Sequence, residues 1–206
     1  MNAVSFENFL QQHNAQGRQK AEGYDLRMFK DMQLDELTQA KELLQSSLLK
    51  GDLSTIQPLV YLADEKIIES LIATFQKFQS GIFNPRALTK FSLAKDLWSL
   101  TNDPIYLKVF EEDLFLKFTA ERLQIIDYIK NLPDRELARQ KLLVFAERDE
   151  DEYVRAEAAK ALFRINSLDS EIDLKQEPYQ HIIKGLMSED AILQKKAFKE
   201  LQQILT

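Results

Sequence analysis

Leu34, Leu37, Ala40, Leu44 and Leu48 recur every three or four residues, which turns them to one side of a helix running from Leu34 to Leu49. Lys50 and Gly51 supply its stop: a cation is favoured at the negative end of a helix, and glycine enters a left-handed turn without a Cβ penalty. A shorter helix is predicted over Leu53 to Leu62. Asp64 then caps another, in which Ile67, Ile68, Leu71, Phe75 and Phe78 face neighbouring helices. Upstream, Phe6, Phe9, Leu10 and His13 share one side of a helix from Ser5 to about Lys20, with Gly17 and Gly23 weakening its end. Tyr24, Leu26, Met28 and Phe29 add apolar surface after it, and this N-terminal piece is expected to cover the end of the helical stack rather than extend toward a partner.

The clearest internal break is Ser80, Gly81, Ile82, Phe83, Asn84, Pro85, where Asn84 is expected to cap a helix that has Pro85 at its first position. Leu88, Phe91, Ala94, Leu97 and Trp98 follow at helical spacing. The same device returns at Asp103 and Pro104, followed by Tyr106, Leu107, Phe110, Leu114 and Phe118. Leu123, Ile126, Ile129 and Leu132 form a compact stripe that ends near Pro133. Asp134 or Arg135 opens a helix with Leu137, Leu142, Leu143 and Phe145, and its partner starts after the acidic turn Asp149 to Asp151. Glu177 and Pro178 introduce a helix with Ile182, Ile183 and Leu186, partnered by one from about Glu189 to Leu205. No long run shows β alternation, so the fold class is all-α.

Two of these segments nearly coincide. Val154, Ala158, Leu162 and Ile165 fall opposite Leu193, Ala197, Leu201 and Ile204, each pair 39 residues apart, which is long enough for two helices and their turns. Small Ala158 and Ala159 permit close helix approach, and Asp149 can accept amide hydrogens at the helix start while Arg155 pairs with it or with the adjacent turn. At Asp149, Val154, Arg155, Ala158, Ala159 and Leu162 the chain resembles the second helix of a HEAT or HEAT-like repeat. The C-terminal copy departs at the polar positions, with Ser188 opposite Asp149 and Gln194 opposite Arg155. The motif is clear over residues 135–205 and looser before them. The resemblance implies a curved superhelix of antiparallel helix pairs, in which residues 1–80 hold an N-terminal helical cap and first repeats and residues 81–206 continue as HEAT-like repeats.

Composition narrows the chemistry. The chain has 206 residues, enough to bury a core without staples, and only five glycines and five prolines. It has no cysteine, which excludes thiolate nucleophiles and cysteine-ligated metals. No leader-like start and no apolar run of membrane length appear, so a cytoplasmic location without a membrane is the expectation. The formal net charge is -6, which repels polyphosphate at long range and makes a basic protein partner easier to accommodate than bulk nucleic acid.

Catalytic patterns are missing. His13 and His181 stand apart from any metal or nucleophile set, and no cofactor or metal is implied. The carboxylate groups Glu111 to Asp113 and Asp149 to Glu152 read as solvated faces or helix starts rather than an acid–base pair. Trp98 is first a packing residue and second a partner contact, and Phe110, Phe115 and Phe118 are read in the same way. The 39-residue offset sets Lys160 opposite Lys199, Arg164 opposite Gln203 and Glu157 opposite Lys196. Second helices commonly line the concave side of a HEAT-like solenoid, so Lys160, Arg164, Lys196 and Lys199 can form a basic ridge there. The leading expectation is a non-enzymatic protein-binding scaffold, such as an inhibitor or immunity protein for a basic toxin or effector. The alternative is a HEAT-like nucleic-acid-binding protein or DNA base-removing enzyme.

Overall fold

A computed structural model describes residues 3–15, 23–83, 85–111, 116–166, 177 and 179–205, and all regular structure among them is helical. The α-helices are α1 (Ala3–Asn14), α2 (Leu34–Leu49), α3 (Ile56–Tyr61), α4 (Glu65–Gln79), α5 (Ala87–Thr101), α6 (Thr119–Ile129), α7 (Arg135–Arg148), α8 (Glu152–Asn166), α9 (Tyr179–Leu186) and α10 (Ala191–Ile204). Short 3-10 helices cover Leu26–Asp31, Leu53–Thr55 and Pro104–Glu111. The chain forms two compact units, Met1–Leu107 and Lys108–Thr206. No described helix is long and apolar enough to cross a membrane.

In the first unit the apolar periodicity becomes burial in part: Leu34, which opens the α2 stripe, is 82% exposed. Ala40, Leu44 and Leu48 of α2 are buried, and Gly51 follows at φ 92°, the left-handed turn that glycine allows. Phe9 of α1 is fully buried among Phe6, Tyr24 and Phe29. His13 stacks on Phe9 and places Nδ1 3.0 Å from the Tyr24 hydroxyl and Nε2 3.3 Å from Ser47 Oγ, a structural role. Burial pushes the Tyr24 phenol up to about 12, helped by the Asp52 charge and opposed by a hydrogen bond with Ser54.

Asp64 caps α4 as the sequence implies, accepting from the Ile67 amide at 3.0 Å, and it also accepts from Lys41 Nζ at 2.6 Å. The Lys41 hydrogen bond, followed by the Ile67 amide, holds the Asp64 carboxyl below its ordinary value. A depressed carboxylate stabilises the fold above its unfolded pKa of about 3.9, and that contribution is lost as pH falls through the lower folded value. Asp64→Ala is therefore expected to cost about 1 kcal/mol at neutral pH. The gap between its urea midpoint and the wild-type one should close below about pH 4; a gap that widens in acid would refute the assignment.

The helix after the Gly81 break starts later than the sequence suggests. Pro85 is not its first residue: Arg86 is the N-cap, with extended backbone at ψ 144°, and α5 begins at Ala87. Proline fixes φ but leaves ψ free, so the chain stays extended for one more residue. Asn84 lies outside the described residues. Phe91, Ala94 and Leu97 are buried as their spacing requires, and α5 packs on α4 within the first unit.

The second unit holds α6 to α10. Helix α7 packs on α8 and α9 on α10, while α6 lies against both α7 and α8, α9 against α8, and α10 against α7. The 39-residue echo is realised in the turns. Asp149 Oδ1 accepts from the Asp151 amide and Asp151 Oδ1 from the Tyr153 amide; Ser188 Oγ accepts from the Asp190 amide and Asp190 Oδ1 from the Ile192 amide. Asp151, two residues after Asp149, is thus the residue at the α8 helix start. The apolar half of the echo is less complete: Val154, Ala158 and Leu162 are buried, as are Ala197 and Leu201, but Leu193 is 50% exposed and Ile204 is also exposed. Phe198, one position after Ala197, is buried and widens the inward side of α10. Phe118 is another departure: it stands 60% exposed, with Lys117 Nζ 5.7 Å from its ring centre, whereas Phe110 is fully buried. Phe115 lies outside the described residues.

α9 and α10 approach closely at Gly185, where a Cβ would meet Ala197 Cβ at 2.5 Å. Gly185→Ala is expected to destabilise the fold by about 1–3 kcal/mol through overpacking, despite a gain of up to about 1 kcal/mol in helix propensity. Urea unfolding tests this, and an unchanged or raised midpoint would show that α9 and α10 can separate freely.

Candidate functional site

A buried charge cluster fixes how α6 and α8 lie together. Arg122 projects from the inward side of α6 and is 3% exposed, and the Asp149 side chain has no exposure at all. Arg122 Nη2 donates to Asp149 Oδ1 at 3.1 Å, and Nε forms an ion pair with Oδ2 at 2.9 Å at an angle outside hydrogen-bond geometry. Arg122 Nη1 donates to the Leu116 carbonyl at 2.6 Å. Beside it, Thr119 Oγ1 donates to Asp151 Oδ2 at 2.8 Å. Burial raises the Asp151 carboxyl, but the Thr119 hydroxyl and the Tyr153 and Val154 amides outweigh it and hold the group below its ordinary value. These contacts set the first turns of α6 and α8 side by side.

Arg155 extends the cluster toward the next helix. Its Nη1 donates to the carbonyls of Asp149 and Glu150 at 2.8 and 3.0 Å, and its Nε to the Leu186 carbonyl at the end of α9 at 2.7 Å. The expected pairing with the adjacent turn is present, but the acceptors are carbonyls, because Arg122 occupies the Asp149 carboxylate.

With their first turns joined, α6 and α8 run alongside each other in the same sense and share a groove of about 430 Å³. Leu123, Ile126, Asp127 and Lys130 line it from α6 and its end; Tyr153, Glu157, Ala161 and Arg164 line it from α8. Ile126 and Ala161 are buried and form an apolar floor, whereas Tyr153 stands 60% exposed. Each wall carries its own ion pair, Asp127 with Lys130 and Glu157 with Lys160, the latter at 2.6 Å. Among the described residues lining the groove there is no Ser, Thr, Cys or His to serve as a nucleophile or a near-neutral base. Apolar contact and paired charges suit this surface to recognition.

Comparison with protein-family models, curated proteins and solved structures finds no match to this chain. The groove's own chemistry therefore carries the functional reading.

The sequence-derived candidates are distributed unevenly over this geometry. Arg164 lines the groove and Lys160 reaches it through Glu157. Lys196 and Lys199 sit on α10, where Lys196 Nζ is 3.8 Å from Glu200, a carboxylate also 3.5 Å from His181 Nε2. Trp98 is partly buried on α5 in the first unit. Tyr153 and the whole α6 wall were not singled out from sequence. A second hollow in the first unit, about 500 Å³ between α2 and α4, is lined almost wholly by charged and polar groups such as Lys41, Glu42, Asp64 and Glu69. Its apolar lining is buried Ile67, against Leu123, Ile126 and Ala161 in the groove between α6 and α8.

Proposed function

We propose that this chain is a non-enzymatic helical-repeat scaffold of HEAT-like type, built from antiparallel helix pairs, that binds a protein partner through the groove between α6 and α8. The observation that carries the reading is the exposed Tyr153 ring beside the buried floor of Ile126 and Ala161, inside a rim of charged side chains. An amphipathic aromatic anchor near an apolar floor, ringed by polar groups, is the usual composition of a binding hot spot. Neighbouring helices lying side by side, as α6 and α8 do, are what a helical stack would present to a partner. The acidic balance of the chain favours a basic partner such as a toxin or effector held in an inhibited state. Nucleic acid is disfavoured because Lys160 and Lys196 have carboxylates beside them.

The test is capture from the native cell followed by calorimetry with purified components. A stoichiometric complex that survives about 150 mM salt and weakens at least about tenfold on Tyr153→Ala supports the reading. Tight duplex-DNA binding that requires Lys160, Arg164, Lys196 and Lys199 would overturn it.

A further inference from the structure

The two helices that line the groove repeat one pattern, with Lys160 reaching the groove only through Glu157. Leu123, Asp127 and Lys130 stand at positions i, i+4 and i+7 of α6 and its cap; Tyr153, Glu157 and Lys160 stand at the same positions of α8, each 30 residues later. The first turns of both helices are tied together by Thr119, Arg122, Asp149 and Asp151, so the two patterns follow each other along the groove in the same order. Along the groove the chemistry therefore runs from apolar, through acidic, to basic, with Arg164 extending the basic end. A rise of 1.5 Å per residue puts the acidic level about 6 Å and the basic level about 10 Å from the apolar one.

We infer that the groove selects a partner segment in which a cationic side chain lies between an apolar anchor and an anionic side chain. This rests on the protein-binding reading of the same groove. The apolar anchor meets Leu123 and Tyr153, the cation meets Asp127 and Glu157, and the anion meets Lys130, Lys160 and Arg164. A segment with the two charges interchanged sets like charges against each other at both levels, which is how an interface rejects a wrong partner. The resident ion pairs do not block the exchange. Asp127, Lys130, Glu157 and Lys160 are all partly exposed, and surface pairs of this kind hold together weakly. Side-chain order, not chain direction, is what is read, since a segment lying in the opposite sense can present the same order.

Two labelled helix-favouring peptides of about 15 residues and identical composition test the inference by fluorescence anisotropy against the full chain. One carries Trp, then Lys four residues on, then Glu seven residues on; the other has Lys and Glu interchanged. The first is expected to bind at least about tenfold tighter, a gap that should fall at high salt. A chain carrying Asp127→Lys, Lys130→Asp, Glu157→Lys, Lys160→Glu and Arg164→Glu should reverse the preference, with circular dichroism confirming that it is folded. Equal binding of both peptides, an unreversed preference, or no binding below about 1 mM overturns the selection by charge order. Equal binding that Tyr153→Ala abolishes overturns only that selection and leaves the protein-binding groove standing. Indifference of both the peptides and the cellular partner to Tyr153→Ala removes the groove reading as well.

Discussion

Arg122→Ala is expected to lower the free energy of unfolding by about 3–5 kcal/mol, a large share of the 5–15 kcal/mol typical of a whole protein. The substitution leaves the Asp149 carboxylate with no solvent exposure and without its cation, and it also removes the donor to the Leu116 carbonyl. An unpaired buried charge is the costly outcome; the pair itself need not be a large net stabiliser, since both groups were desolvated to form it. Replacing both partners by apolar side chains, Arg122→Met with Asp149→Leu, should therefore recover more than half of the loss. Asp149 has one further duty, accepting from the Asp151 amide, so recovery is expected to stop short of the wild type. Urea unfolding of the two single variants and the double variant measures this. A loss below about 1 kcal/mol in Arg122→Ala would mean that water reaches the pair and that it does not fix α6 against α8.

Arg155→Ala is the second large effect, expected at about 2–4 kcal/mol. Three carbonyls, those of Asp149, Glu150 and Leu186, accept from this one guanidinium, and its removal leaves them without that donor in a largely buried setting. Lysine should rescue little, because an ammonium lacks the planar fork that reaches the turn and the end of α9 together. The loss should also be local. Hydrogen exchange is expected to accelerate in α9 and α10 more than in α6, since the bond to Leu186 is one of the links from α8 to the following helices, beside the Phe163–Tyr179 ring contact. Uniform acceleration across the second unit would contradict that division of labour.

Much of the helical framework is legible residue by residue. Leu34 to Leu49 is helical over the very span its stripe marks, and Asp64 and Asp134 cap their helices because a short carboxylate reaches an amide two or three residues on. Pro85 misleads because a proline fits an extended residue as well as a first helical one. Leu193 misleads because the 39-residue echo transfers positions without transferring neighbours; Val154 is enclosed where Leu193 is half open.

The candidate site was legible only in part, for a related reason. Lys160 and Arg164 come from comparing α8 with α10, yet the wall facing them is α6, related by 30 residues rather than 39. Leu123 and Ile126 look like ordinary core positions, and Ile126 is one. Tyr153 and Val154 are neighbours in sequence with opposite fates, which periodicity alone does not separate. Arg122 did carry a signal: it lies three, four and seven residues before Ile125, Ile126 and Ile129, a cation on the apolar stripe, and such a group is buried only with a partner.

The central claim is that the surface between α6 and α8 binds protein, and calorimetric titration of the purified cellular partner against wild type and Tyr153→Ala with Leu123→Ser tests it most directly. The expected result is a loss of affinity of about 100-fold, with the urea midpoint of the doubly substituted chain close to that of the wild type. Equal affinity of the two chains for that partner would contradict it.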